Sequence, residues 1–235
     1  MSQGIYGHDL EALLSSRIAQ ADALHAEIAE LRQGWALERH PFMQRWLAGR
    51  LRLPELQSFA AEHYHVVVAL ERVARRAAAL SEGLLAERLG RYADDQDEAL
   101  DSWFEFAVAS GWGRSAWYFG EDPLPQTVAC AGALTGDRSL VLHLVTIYAL
   151  ESALSELAPR QLEALTCRYR FDECSTRYFA LRAERSADAA LTAEAGLTGL
   201  LPIASPADLV GHAELAYRSY VDLLSGVELL AGAGA

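Results

Sequence analysis

Three short runs hold the side chains best suited to chemistry. His143, Ile147 and Glu151 recur at i, i+4 and i+8, with Tyr148 one step round and three residues before Glu151. Helical geometry therefore places an imidazole, a phenol and a carboxylate on one broad face. Leu140, Leu144, Leu150 and Leu154 flank that face, and a carboxylate in such surroundings is costly unless paired. Tyr178 and Arg182, also i and i+4, supply a partner, so the spacing predicts a Glu151–Arg182 ion pair. In one reading the planar guanidinium binds a substrate carboxylate or a developing oxyanion while Glu151 or His63 moves a proton. In the other it is a structural salt bridge, near neutral for stability but damaging when one partner is removed. The third run is Glu62-His63-Tyr64-His65, a single acid-and-imidazole motif where a two-iron bundle would use two. His63, one helical repeat from Val67 and Leu70, is expected to face inward, as a proton carrier or as a hydrogen-bonded core histidine. His63 or His65 with Glu62 and Glu151 leaves a mononuclear metal site as an alternative.

The other candidate site residues are aromatic or charged. Trp103, Phe104, Phe106, Trp112, Trp117, Tyr118 and Phe119 could line a pocket for a flat ligand, with the loop over 115–126 as a lid, or could be core. Arg72, Arg75 and Arg76, with Glu71, read as a solvated face or a dimer rim.

Composition narrows the chemistry. Of the 235 residues 51% are hydrophobic, and 32 Asp and Glu face 20 cations for a net charge of −12. There is no lysine and no asparagine, so every permanent cation is arginine. Schiff-base and pyridoxal chemistry, the phosphate-binding Walker loop, N-glycosylation and a Cys-His-Asn triad are thereby excluded. The acidic balance opposes nucleic-acid binding. Cys130, Cys167 and Cys174, odd in number and never Cys-x-x-Cys, read as reduced thiols of a cytoplasmic protein. Without a basic n-region leading into an apolar core, or 18 uninterrupted apolar residues, neither secretion nor membrane spanning is expected.

Apolar residues recur at helical spacing almost throughout, and no sustained period-two alternation occurs. An all-α chain is expected, a single helical domain over 1–235 with 1–9 and 231–235 flexible. Predicted helices end near Gly34, run from about His40-Pro41 to Gly49, and from Pro54 to about Leu80. Others are expected over 82–90, 92–110, 127–134, 138–158, 160–167, 172–195 and 206–230, with breaks at Gly136, Pro159, Pro202 and Pro206.

The segment from His40-Pro-Phe-Met-Gln-Arg-Trp-Leu-Ala-Gly-Arg-Leu, followed by Leu56-Gln-Ser-Phe-Ala-Ala-Glu-His-Tyr-His65, resembles the opening of the heme-oxygenase-like superfamily. That group includes the TenA thiaminases, PqqC and the diiron oxidases. Ile147-Tyr-Ala-Leu-Glu151, Arg177-Tyr-Phe-Ala-Leu-Arg182 and the last helix, Ala213 to Leu230, extend the resemblance over roughly 35–230. It implies a bundle of seven to eight helices around a central pocket. Where the diiron branch carries its third-helix ligands this chain has Arg182, Ser186 and Ala189, and the earlier ligand places fall near Tyr92 to Asp95 and near Ala99. TenA enzymes would need an Asp close to His63 and a cysteine near Leu144 and Val145. The PqqC branch works without a metal or organic cofactor.

Together these readings lead to a metal-independent enzyme acting on a small aromatic or carboxylate-bearing metabolite by proton transfer or cofactorless oxidation. The expected catalytic residues are Glu151, Arg182, His63 and Tyr148, with Tyr178, His65, Trp103, Phe104 and Ser186 binding substrate. No metal or cofactor is expected, and the predicted assembly is a homodimer. An iron-dependent oxidase with unusual ligands and a noncatalytic binding protein are the alternatives.

Overall fold

The computed structural model describes residues 5–113, 123–136, 138–201 and 204–233. Trp117, Tyr118 and Phe119, with most of the 115–126 loop and Pro202, lie outside them. Among the described residues are eight α-helices: α1 (Ile5–Gly34), α2 (Pro41–Leu47), α3 (Leu53–Ala79), α4 (Gly83–Ala109), α5 (Pro125–Thr135), α6 (Leu140–Cys167), α7 (Glu173–Leu200) and α8 (Pro206–Ala233). A single 3-10 turn, Leu37–Arg39, precedes α2. The all-α expectation holds.

Local chemistry sets several helix starts. Pro41 opens α2 behind His40, whose Nδ1 accepts the Phe42 N–H at 3.2 Å. Pro54 sits in the first turn of α3, where Glu55 accepts the Arg52 N–H at 2.7 Å. Asp172 caps α7 by accepting the Ser175 N–H at 2.9 Å. Gly111, at φ 98°, lets the chain turn out of α4 in a conformation that L side chains rarely adopt.

Two expected breaks do not occur. Helix α4, Gly83–Ala109, is one helix where two were expected, because Leu89, Tyr92, Ala93, Gln96 and Ala99 make a continuous buried stripe across Gly90. A mid-helix glycine costs about 1 kcal/mol, less than burying that stripe returns. Likewise α6 continues through Pro159. Proline inside a helix removes one hydrogen bond, at about 3 kcal/mol, and buried Leu154, Leu157, Ala158, Gln161, Ala164 and Leu165 on both sides hold the axis together.

The core is formed mainly where α6 packs along α7, α3 along α4, and α4 along α7, with α8 closing the bundle over α5 and α6. Phe42, Trp46, Phe59, Trp103, Phe106 and Phe179 interlock at its centre. By length and composition α6 could cross a membrane, yet 72% of its most apolar window is buried inside the protein. It is the core helix, and it carries Glu151.

Candidate functional site

Glu151 lies at the middle of α6 with no solvent exposure, and Arg182 approaches it from α7 at 5% exposure. The Arg182 Nη2 donates to Glu151 Oε1 at 2.6 Å, so the predicted pair is present. Helix α4 completes it: the Tyr92 hydroxyl donates to the same Glu151 oxygen at 2.5 Å, and Gln96 Oε1 accepts from Arg182 Nη1 at 3.1 Å. Burial disfavours charge on Arg182, but the Glu151 carboxylate more than offsets this and holds the guanidinium protonated. Burial, followed by the same carboxylate, pushes the Tyr92 phenol well above its usual range.

Three polar atoms of this cluster are buried without a partner among the described residues: Glu151 Oε2, Arg182 Nε and Ser186 Oγ. Such groups are rare in folded proteins and expensive to leave unmade. All three residues line a crevice of about 10 Å³ between α4, α6 and α7, room for about one water-sized group. Tyr92, Asp95, Arg185 and Ala189 line both the crevice and an open groove of about 600 Å³ on the α4–α7 surface. Arg88, Arg91 and Arg185 line that groove, along with Asp94, Asp95, Glu184 and Asp188. At its edge Arg185 bonds Asp95 at 2.6 Å and Glu98 at 2.7 Å, tying α7 to α4.

A second polar cluster adjoins the first. His63 is stacked on Phe59 with ring centres 4.9 Å apart, its Nε2 is 3.3 Å from the Tyr178 hydroxyl, and its Nδ1 is 3.1 Å from the Tyr220 hydroxyl. Burial, and then the nearby Arg182 charge, lowers its pKa to about 3, so the ring is neutral and both nitrogens are satisfied. Burial raises the Tyr178 phenol to about 12. The Tyr178 ring also faces Arg182, with Cζ 5.9 Å from its centre, and so links the two clusters.

The structure thus brings together Glu151, Arg182 and Ser186, with His63 and Tyr178 one step away. Trp103 packs on His63 and Tyr178, with ring centres 4.8 and 4.6 Å away, whereas Tyr148, His65 and Phe104 are not brought in. Tyr148 lies on a different side of α6, half-buried against His25, because one residue is a rotation of about 100° on a helix. His65 lies beside Tyr64, away from His63. Trp103 is fully buried in the aromatic core and donates to Ala60 O at 3.0 Å. Phe104 packs on Tyr64. Among the described residues the cavity next to Glu151 is a narrow polar crevice beside a charged groove, and the part of the expected aromatic pocket carried by Trp117, Tyr118 and Phe119 lies outside them. Tyr92, Gln96 and Tyr220 were missed as site residues. Tyr92 and Gln96, i and i+4 on the apolar stripe of α4, carried the only signal available.

The TENA/THI-4/PQQC family model matches residues 25–133. A TenA homolog from Pseudomonas syringae pv. tomato str. DC3000 is 15% identical with a TM-score of 0.77, over 90% of this chain and 93% of that one. A TenA homologue from P. horikoshii OT3 is 11% identical, TM-score 0.71, over 88% and 97%. A domain of unknown function with a heme oxygenase-like fold from Shewanella denitrificans OS217 is 17% identical, TM-score 0.69, over 88% and 90%. The chain has the heme-oxygenase-like fold. No curated protein matches it by sequence.

In this heme-oxygenase-like chain the positions that resemble iron-ligand places, Arg182, Ser186 and Ala189, form one wall of the crevice. Among the described residues no group of three or more His, Cys, Asp or Glu side chains is placed to hold a metal ion. Glu151 faces a guanidinium, and Glu62 accepts from the Leu124 N–H at 3.0 Å and from Thr127 at 2.5 Å, which ties α3 to the start of α5. These residues do not fit a two-iron centre, nor do the four side chains suggested for a mononuclear site converge. The thiaminase pattern fares no better. Leu144 and Val145 are fully buried apolar core, and burial pushes the Cys130 thiol up to about 12, far from a nucleophilic thiolate.

Proposed function

We propose that this TenA/PqqC-like chain is a cytoplasmic, metal-independent enzyme of small-molecule metabolism that moves a proton on a carboxylate-bearing metabolite. One observation carries the reading: Glu151 Oε2, Arg182 Nε and Ser186 Oγ are buried without partners among the described residues, around a crevice that adjoins a groove of about 600 Å³. The groove takes the body of the metabolite, where Arg88 and Arg91 attract its anionic group. Its reacting end enters the crevice. The Arg182 Nε–H and the Ser186 hydroxyl hold a substrate oxygen, and Glu151 Oε2 accepts the proton that leaves the substrate. Tyr92 holds the other carboxylate oxygen and Gln96 fixes the guanidinium, so the acceptor is oriented before the substrate arrives. Since the crevice admits about one water-sized group, α4 and α7 part slightly when the substrate binds.

The test is ligand-observed NMR with a panel of aromatic and aliphatic carboxylates and their methyl esters, on the wild type and on the double variant Glu151→Leu/Arg182→Met. Selective binding of free acids to the wild type, lost in a folded double variant, is the expected result. Carboxylate binding that persists unchanged in that variant overturns the site. Stoichiometric iron in protein expressed with added iron, lost on Glu151→Gln, overturns metal independence.

A further inference from the structure

Ala153 follows Glu151 by two positions and so lies about 200° round α6 from it. On that opposite side Ala153 lines a separate pocket of about 170 Å³. The rest of its wall comes from the end of α1 and the 3-10 turn beyond it (Arg32, Trp35, Leu37), from Glu156 on α6 and from Tyr217 on α8. A cavity of roughly 150 Å³ holds one benzene ring, so this pocket has room for a single-ring molecule.

Tyr217 points to a ligand. Its side chain is 1% exposed, and its hydroxyl has no hydrogen-bond partner among the described residues. A buried tyrosine hydroxyl ordinarily finds one. Burial raises the phenol above its usual range; the Arg32 charge opposes that rise, and Tyr148 and Glu156 add to it. The hydroxyl thus stays protonated at neutral pH, within charge reach of two other lining residues. Arg32 is held at this end of the pocket, where its Nη1 donates to Ser152 O at 3.2 Å and its Nη2 pairs with Glu156 Oε1 at 3.0 Å. Trp35 is partly buried against the core and has no ring partner among the described residues. The other charged lining residues, Glu38 and Arg39, offset each other, so the wall carries no net charge.

One end of the pocket therefore offers a hydroxyl donor and a carboxylate acceptor, and the remainder an indole and two aliphatic side chains. An amide supplies the complementary acceptor and donor in one planar group, and a wall without net charge favours an uncharged molecule. From this geometry we infer that the pocket binds a neutral aromatic carboxamide, its ring against Trp35, its carbonyl accepting from Tyr217 and its N–H donating to Glu156. The Arg32–Glu156 pair, with side chains 28% and 63% exposed, is the movable part of the wall, and its shift admits the carbonyl to the buried hydroxyl. The site shares no lining residue with the crevice or its groove and does not depend on the function assigned to them.

Calorimetric titration of the whole chain with benzamide and with methyl benzoate tests the site. One benzamide per chain is expected, and the ester, which lacks an N–H, binds at least fivefold more weakly. Tyr217→Phe weakens benzamide about tenfold and leaves the urea unfolding midpoint unmoved, since no protein hydrogen bond is lost. Glu156→Ala weakens benzamide severalfold and leaves the ester unchanged, a discrimination that a merely structural role would not produce. Glu156 is exposed, so its variant reports on binding even if Tyr217→Phe disturbs the fold. Binding of benzamide persists in Glu151→Leu/Arg182→Met. Absence of benzamide binding to the wild type overturns the proposal, as does an ester bound as tightly as the amide. Benzamide lost in Glu151→Leu/Arg182→Met but retained in Tyr217→Phe and Glu156→Ala places the ligand in the other site and overturns it equally.

Discussion

Two polar clusters lie side by side in the core of this bundle, and they are built on opposite rules. The groups bonded to His63 are neutral and matched: each ring nitrogen meets one tyrosine hydroxyl, and aromatic rings cover its faces. Around Glu151 the groups are charged and incompletely matched, with three buried atoms lacking partners among the described residues beside a crevice. A histidine held neutral is cheap to bury, whereas an ion pair is not. The difference separates a cluster that fixes the packing of α3, α7 and α8 from one whose open valences suit a ligand.

The largest effect comes from breaking the charged cluster. Glu151→Ala or Arg182→Ala leaves one buried charge alone and is expected to cost about 3–5 kcal/mol of stability, read by urea unfolding. The double variant Glu151→Leu/Arg182→Met is expected to recover most of that loss. If the single variants cost less than about 1 kcal/mol, far below the penalty for an isolated buried charge, the two clusters do not differ as described.

The neutral cluster has a pH signature of its own. With a folded pKa of about 3 against an ordinary 6.5, His63 stays uncharged while the unfolded chain takes up a proton. Its contribution is fully present above about pH 6.5 and is lost as pH falls toward 3, amounting to ~2 kcal/mol between pH 6.5 and 5. His212, lowered to about 4, adds to the same slope. His63→Phe is expected to remove roughly half of this acid dependence, and an unchanged slope would place a charged imidazole in the core. The groups facing His63, namely Tyr178, Tyr220 and Arg182, do not titrate in that window.

Much of the charged cluster was legible before any coordinates. A glutamate on an apolar face and an arginine on another segment demand each other, because neither can be buried alone. Inward-facing His63 followed from its register with Val67 and Leu70. Tyr148 was misread because adjacent helix positions were treated as one face, although they diverge by about 100°. Aromatic composition left Trp103 and Phe104 open as pocket lining or packed core, and in the structure both pack against neighbouring rings, Trp103 on His63 and Phe104 on Tyr64. Tyr92 and Gln96 were missed because their importance depends on which helix lies opposite α6, a tertiary fact that periodicity does not encode. The helix breaks expected near Gly90 and at Pro159 erred in the same direction: local propensity was outweighed by the buried stripes on either side.

Ser186 offers a finer test, because it touches the proposed ligand space and bonds nothing among the described residues. Ser186→Ala is expected to change stability by less than about 1 kcal/mol, since no protein hydrogen bond is lost, yet to weaken carboxylate binding about tenfold through loss of one buried donor. A structural role would reverse that order, with stability falling and affinity unmoved.

The smallest effect is expected at the rim, where Arg185 ties α7 to Asp95 and Glu98 of α4 with about a third of its side chain exposed. Screened pairs of this kind contribute about 1 kcal/mol or less, so Arg185→Ala leaves the unfolding midpoint nearly unchanged. The same pairs span the mouth through which the groove meets the crevice, and their removal lowers the cost of parting the two helices. Stopped-flow measurement on a carboxylate that binds the wild type is therefore expected to give a faster association rate in Arg185→Ala, with a smaller change in affinity. Equal association rates in the two proteins would show that the helices part elsewhere, and access to Glu151 would then have to come from another side of the bundle.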